Sequence, residues 1–239
     1  AIQGKLVDQD PNDEPADILL EKIREEKEKL IKEGKIKRDK NASKIIRRGN
    51  EFYEKFPDGT ETLLTDLPFD IPDSWTWCRL GEVVPYGECN SIDSQNIDKD
   101  SWILDLEDIE KYTGKIIRKV TRKERLSNSA KHVFIKGNVL YSKLRPYLNK
   151  VVIADNDGFC TSEILPLDFG PYIFNEYAKL FLMTPFFVNY TISRSYGIKM
   201  PRLGTTEGKK ALFILPPFTE QIRIVNKIKT LFLQIDNFV

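Results

Sequence analysis

The side chains best suited to grip an anion fall in two short stretches. The first, SKLRPYLNK, runs from Ser142 to Lys150 and offers charged donors at Lys143, Arg145 and Lys150 and neutral donors at Ser142, Tyr147 and Asn149. Pro146 stiffens its middle, and the apolar runs Val139–Tyr141 and Val151–Ala154 flank it. A loop anchored at both ends holds its cations at fixed spacing, which is what a row of phosphates demands. The second, RSYGIKMPR, spans Arg194 to Arg202. It carries Arg194, Lys199 and Arg202, a backbone freed at Gly197, and Tyr196, an aromatic that can meet a base or sugar.

A wider charge asymmetry surrounds the first stretch. Lys115 to Lys150 holds eleven Lys/Arg and a single acid, Glu124, whereas Glu82 to Glu110 holds nine acids and only Lys99. The whole chain carries a formal charge of +1, so only this distribution is informative about partners. Concentrated positive charge predicts a polyanion, of which duplex DNA is the commonest. The aromatic residues are not arranged as stacking platforms, which favours duplex over single strand. The acidic, aromatic stretch Ser91–Trp102 is a candidate base-reading loop.

Other chemistries find little support. There is no GxGxxG, Walker or GxSxG pattern, and His132 is the one histidine, so a nucleophile–histidine triad is disfavoured. Cys78, Cys89 and Cys160 are scattered and odd in number, which offers neither a zinc set nor a disulfide framework and favours a reducing compartment. The carboxylates Asp105, Glu107, Asp108 and Glu110 read as a solvated acidic loop. No apolar run reaches the roughly 20 residues of a membrane span, and the opening AIQGKLVDQDPNDEP does not read as a signal peptide. No metal or cofactor is expected.

The elements that must position the two loops are legible in outline, and the fold class expected is α/β of the α+β kind, with a mixed sheet and flanking helices. Residues 1–66 are rich in balanced charge. Pro15 to Gly34 predicts a helix, with Asp13 as cap, a face of Ile18, Leu19, Ile23, Leu30 and Ile31, and i,i+4 pairs Glu25–Lys29 and Glu28–Lys32; a linker is expected after it. Leu67–Trp77, with Trp75 and Trp77 as core anchors, opens a compact domain reaching Pro217. Inside it Val133–Ile135, Val139–Tyr141, Val151–Ala154 and Ile164–Leu167 predict strands. Tyr172–Met183 and Phe186–Ser193 predict helices, and Leu212–Leu215 a closing strand. After Pro216-Pro217, Thr219 caps a last helix over 218–239. There Ile222, Val225, Ile228, Phe232, Ile235 and Val239 form a stripe of coiled-coil type.

These pieces, in this order, resemble the specificity subunits of type I restriction–modification systems. Residues 1–40 look like the family's conserved helical region, and PFDIPDSWTWCRLGEV (68–83) looks like the opening of a target-recognition domain. WILDLEDIEKYTGKI (102–116), GNVLYSKLRPYLNKVVIADNDGFCTSEILPL (137–167), GIKMPRLG (197–204) and LPPFTEQIRIVNKI (215–228) follow in the family's usual sequence. The resemblance implies a non-catalytic, prokaryotic, cytoplasmic protein that reads double-stranded DNA. It implies partners too: methyltransferase subunits, which use S-adenosylmethionine to methylate adenine, and a restriction subunit, which uses ATP. Family members carry two recognition domains and two helical regions, and this chain shows one domain, so it corresponds to part of such a subunit or to a half-subunit acting as a homodimer. Two other readings stand beside this one: a scaffold whose basic patch meets an acidic partner, and a recognition domain detached from an adenine methyltransferase. An intact methyltransferase would need an Asn/Asp-Pro-Pro-Tyr/Phe tetrapeptide, which the chain lacks.

Overall fold

The computed structural model describes residues 1–236, with the side chain of Asp236 left out of the description. In chain order the helices are α1 (Ala16–Lys32), α2 (Leu80–Val83), α3 (Asn175–Leu182), α4 (Pro185–Arg194), α5 (Thr205–Lys210) and α6 (Phe218–Asp236). The first seven strands are β1 (Lys44–Arg48), β2 (Glu51–Lys55), β3 (Glu61–Leu63), β4 (Thr76–Arg79), β5 (Ser91–Ile92), β6 (Trp102–Leu104) and β7 (Val120–Thr121). The remaining six are β8 (Lys131–Phe134), β9 (Val139–Ser142), β10 (Val151–Ile153), β11 (Gly158–Thr161), β12 (Ile164–Leu167) and β13 (Leu212–Leu215). This is the mixed α/β class that the sequence predicts. The chain divides into two compact units: Ala1–Val83 with Gly170–Tyr177 and Lys210–Val239, and Val84–Phe169 with Ala178–Lys209.

In the first unit, α1 buries Ala16, Leu19, Leu20 and Ile23. Ile18, assigned from the sequence to that face, points to solvent. Gly34, at φ 71°, ends the helix as expected. Glu28 holds Arg38 instead of Lys32, and Lys29 faces Glu26. The expected linker is a three-stranded antiparallel meander in the order β1-β2-β3, with Ile46 opposite Tyr53 and Tyr53 opposite Leu63. Its apolar content is small, because Arg47 and Arg48 lie over the rings of Phe52 and Tyr53 and do part of the covering. Strand β4 pairs antiparallel with β13, setting Trp77 opposite Ile214 and Cys78 opposite Phe213. Trp75 and Trp77 are fully buried core anchors, and Trp75 Nε1 donates to the Glu220 carboxylate at 2.8 Å.

Helix α6 starts one residue before Thr219, whose hydroxyl donates to Asp13; neither residue caps a helix as the sequence suggests. Its near half buries Ile224 and Val225, with Ile222 and Ile228 half-buried, so part of the predicted stripe belongs to the core. Further on, Leu231, Phe232, Leu233 and Ile235 are exposed. Val239 lies outside the described residues.

The second unit carries two sheets. The larger is mixed, in the order β5-β8-β11-β6-β7, with β11 parallel to β6 and the other pairs antiparallel. The smaller is antiparallel in the order β10-β9-β12. Leu104, Ile109, Phe134, Leu140, Val152, Ala154, Cys160 and Ile164 form one cluster. Strands β5, β6, β7 and β11 and helix α5 go beyond the elements expected from the sequence. Helix α5 is too short and polar for periodicity to show. It packs closely at Gly208, where an added Cβ would lie 2.1 Å from Cε1 of the buried Tyr86 ring. Gly208→Ala is therefore expected to destabilise this unit by about 1–3 kcal/mol through overpacking; a urea midpoint equal to wild type would show that the ring can yield. His132, the lone histidine, holds the Ile164 carbonyl through Nδ1 at 2.9 Å, a structural role.

Candidate nucleic-acid interface

The two basic stretches, well separated in sequence, lie side by side in the second unit. Strand β9 must reverse into β10, which it pairs so that Tyr141 faces Val151. The reversal runs through a 3-10 turn, Pro146–Leu148, flanked by two left-handed residues, Arg145 at φ 48° and Asn149 at φ 50°. Asparagine tolerates that conformation; arginine adopts it only when something holds it there. The holder is the second stretch: the Arg145 amide donates to the Pro201 carbonyl at 2.7 Å. Leu144 forms an antiparallel bridge with Arg202, and the Leu203 amide donates to the Lys143 carbonyl at 3.0 Å. The second stretch is itself a hairpin, closed by mutual hydrogen bonds of 3.0 and 2.9 Å between Tyr196 and Arg202.

Glu163, in the turn between β11 and β12, ties both loops. It accepts from Arg202 Nη2 at 2.9 Å and from Nε at 3.1 Å, and its carbonyl accepts from the Lys143 amide at 3.0 Å. The Arg202 guanidinium is therefore committed within the protein, and its hydrogen bond to Glu163 raises its pKa. Its expected role as a groove contact would have to be shared with this internal pair. Three further candidates also donate within the protein. Ser142 is 2% exposed and donates to the Leu144 carbonyl. Asn149 Nδ2 donates to the Met183 carbonyl at 2.9 Å. Lys150 Nζ donates to the Leu106 carbonyl at 2.6 Å, and burial lowers its pKa. What remains on the surface is Arg145, Tyr147 and Lys199, exposed, and Lys143, half-exposed; the three cations have no ion-pair partner among the described residues. Arg194 is also exposed, with Glu207 4.0 Å away.

The linear charge asymmetry has a different meaning from the one it suggests. The acidic segment folds against the basic one and neutralises three of its cations, Arg118, Lys123 and Arg125. Arg118 pairs with Glu107 at 2.7 Å and Asp108 at 3.0 Å, and Arg125 pairs with both. Lys123 pairs with Asp100 and Lys119 with Asp155, each at 2.7 Å. Arg122 bonds the carbonyls of Ser94 and Ser127, and the buried Lys131 bonds the hydroxyls of Ser127 and Ser129. Of the eleven cations, Lys115, Lys136, Lys143 and Arg145 have neither an ion pair nor a side-chain hydrogen bond among the described residues. The acidic loop expected to be solvated is the opposite at its centre: Asp108 is 0% exposed. No signal in local sequence separates a solvated carboxylate from one that meets two arginines further along the chain. In the Ser91–Trp102 stretch, Gln95, Asn96, Asp98, Lys99 and Asp100 are exposed, while Trp102 packs edge-on to Phe134 under the Lys119 ammonium.

Burial works to raise the Asp108 pKa, but hydrogen bonds from Arg125, the Asp105 amide and Arg118 outweigh it and hold the carboxyl below its usual 3.8. A carboxylate depressed by folding contributes stability above its unfolded pKa and loses it as pH falls through the folded one. The second unit is thus expected to lose stability on acidification below about pH 4. The deficit of Asp108→Asn relative to wild type should shrink over the same range, read from urea midpoints at about pH 7 and pH 3; a constant deficit would exclude Asp108 as a contributor.

The second unit is an ion-paired α+β body that presents two loops, stitched by backbone hydrogen bonds and bearing cations without ion-pair partners among the described residues. No group of His, Cys, Asp and Glu suited to hold a metal occurs among the described residues. Sequence comparison names the family. The chain is 30% identical over 247 residues to the Escherichia coli "Type I restriction enzyme EcoAI specificity subunit", covering 97% of this chain and 38% of that protein. It is 31% identical over 172 residues to the EcoDI specificity subunit of the same organism, covering 72% and 37%. The HsdS subunit from Thermoanaerobacter tengcongensis shares the fold, with a TM-score of 0.62 at 24% identity over 73% of this chain and 46% of that one. No family model matches the chain. The chain belongs with the type I restriction enzyme specificity subunits, and it spans under two-fifths of the length of the curated relatives it matches.

Proposed function

We propose that this chain is the DNA-reading portion of a type I specificity subunit: a non-catalytic component that recognises one half of a double-stranded target and directs partner subunits to it. In this reading residues 67–217 are the target-recognition domain, 1–66 the helical arm and 218–239 the start of a conserved coiled-coil helix. The observation that carries it is the stitched loop pair, which holds Lys143, Arg145 and Lys199 on a fixed frame without ion-pair partners among the described residues. These cations, with Tyr147 and Arg194, grip phosphates and set the register, and polar side chains of nearby loops read base edges. Methyltransferase and restriction subunits are the protein partners, the cytoplasm of a prokaryote is the setting, and a second copy is the partner if the chain acts as a half-subunit. No helix among the described residues is long and apolar enough to cross a membrane.

Selection of this chain against a random duplex library, followed by sequencing, tests the reading. One short enriched motif is expected; the same motif twice at fixed spacing identifies a homodimer. Salt-sensitive binding without enrichment would favour the scaffold reading instead. The far half of α6 supports the assembly role, since Phe232 is 59% exposed beside Leu231, Leu233 and Ile235. Phe232→Glu is expected to leave thermal unfolding within about 0.5 kcal/mol of wild type while abolishing co-purification with methyltransferase subunits or self-association. Retained association would remove this face from that role.

A further inference from the structure

The hairpin of the second loop ends in an apolar tip that phosphate contacts do not explain. Ile198 is 100% exposed, Tyr196 63% and Met200 44%. Charged side chains would serve a purely electrostatic loop, and an isoleucine held wholly in water gains nothing for the fold. The tip is also built to stay out. Gly197, at φ 91°, makes the turn, and an added Cβ there would lie 3.3 Å from the Met200 carbonyl oxygen. Below the turn, the Tyr196–Arg202 hydrogen bonds, the Arg202–Glu163 ion pair and the Arg145–Pro201 contact fix the stem. Cations accompany it: the exposed Lys199 at the tip and Arg194 before it in the chain, with Lys143 and Arg145 on the loop stitched to its stem. An apolar knob on a braced stem, with exposed cations on its own hairpin and on the loop stitched to it, complements one kind of surface best, a groove of stacked bases between two phosphate rails.

We propose that Ile198, backed by Tyr196 and Met200, is a wedge that enters the duplex at a base step and unstacks it while Lys143, Arg145 and Lys199 hold the phosphates on either side. The proposal rests on the DNA-reading function and adds to it a distortion of the DNA made by this chain itself. Flexible pyrimidine–purine steps are the natural point of entry, because they unstack at least cost.

The test uses the duplex recovered by library selection, with 2-aminopurine placed in turn along and beside the motif, and the chain as wild type and as Ile198→Ser. A side chain in full contact with water can be replaced without disturbing the fold. Wild type is expected to raise 2-aminopurine emission several-fold at one step. Ile198→Ser should lose that rise and bind about ten- to a hundred-fold more weakly with the same salt slope, as removal of a buried apolar contact predicts. Tight wild-type binding without a rise at any step, or a rise that survives Ile198→Ser, overturns the wedge and leaves DNA reading intact. The wedge is equally overturned if Ile198→Ser binds duplex normally but fails to bind methyltransferase subunits, since the tip would then be a protein contact. If wild type binds no duplex at all, the function on which the wedge rests falls with it.

Discussion

Arg125→Ala is expected to cost the second unit about 3–5 kcal/mol, a larger loss than either Gly208→Ala or Asp108→Asn should produce, because it strands a buried charge. Asp108 has no exposed surface, and Arg125 reaches both of its oxygens while also bonding the Ile103 carbonyl and Glu107. Arg118, the other partner, is far more exposed and holds one oxygen. Removing Arg125 leaves Asp108 either ionised with too few partners or protonated, and both alternatives are costly. The Lys123–Asp100 pair, exposed on both sides, provides the contrast: Lys123→Ala should change stability by no more than about 1 kcal/mol. Replacing both Asp108 and Arg125 with apolar residues of similar size should recover much of the loss, because the desolvation penalty disappears together with the attraction. Urea unfolding of the three variants separates these cases. A loss below about 1 kcal/mol in Arg125→Ala would mean that Arg118 and the Asp105 amide suffice.

The second large effect is on binding. The triple variant Lys143→Ala, Arg145→Ala, Lys199→Ala is expected to weaken duplex binding by about 10²–10³-fold near 0.1 M salt and to flatten the salt slope by about two to three units. The three side chains have no ion pairs among the described residues to lose, so unfolding midpoints should stay near wild type. Sequence preference should survive, since phosphate contacts position the protein without reading bases. Fluorescence anisotropy from about 50 to 300 mM salt measures slope and affinity together. An unchanged slope would take these residues off the DNA. Arg202→Ala would be a poor substitute, because breaking its pair with Glu163 loosens the frame and confounds contact with support.

Sequence patterns proved sufficient where a local pattern has one structural solution. The apolar runs at 139–141, 151–154, 164–167 and 212–215 form β9, β10, β12 and β13 with little change at their ends. Trp75 and Trp77 are core, and Gly34 ends α1. Patterns failed where charged residues mask a strand. Lys44–Arg48 and Glu51–Lys55 each place one apolar side chain, Ile45 and Phe52, into the core and surround it with charge, so a meander reads as a linker. The α6 stripe is half core and half exposed for a similar reason: periodicity identifies an apolar face but not whether the chain's own core covers it.

The sequence by itself determined the class of the fold, the family to which the chain is related and the two loops that carry candidate donors, because strand patterning, motif order and loop composition are all local properties. Which donors remain free was decided by tertiary structure alone. Ser142, Asn149, Lys150 and Arg202 are drawn inward by the carbonyls and the carboxylate that packing brings to them, and the acidic segment cancels cations it meets only after folding. Charge acts through space over several ångströms, whereas sequence orders it along a contour. A count of cations along the chain is therefore an upper bound on the field a partner meets, and only the folded pairing shows that Arg118, Lys119, Lys123 and Arg125 are spent on carboxylates while, among the described residues, Lys143, Arg145 and Lys199 are not.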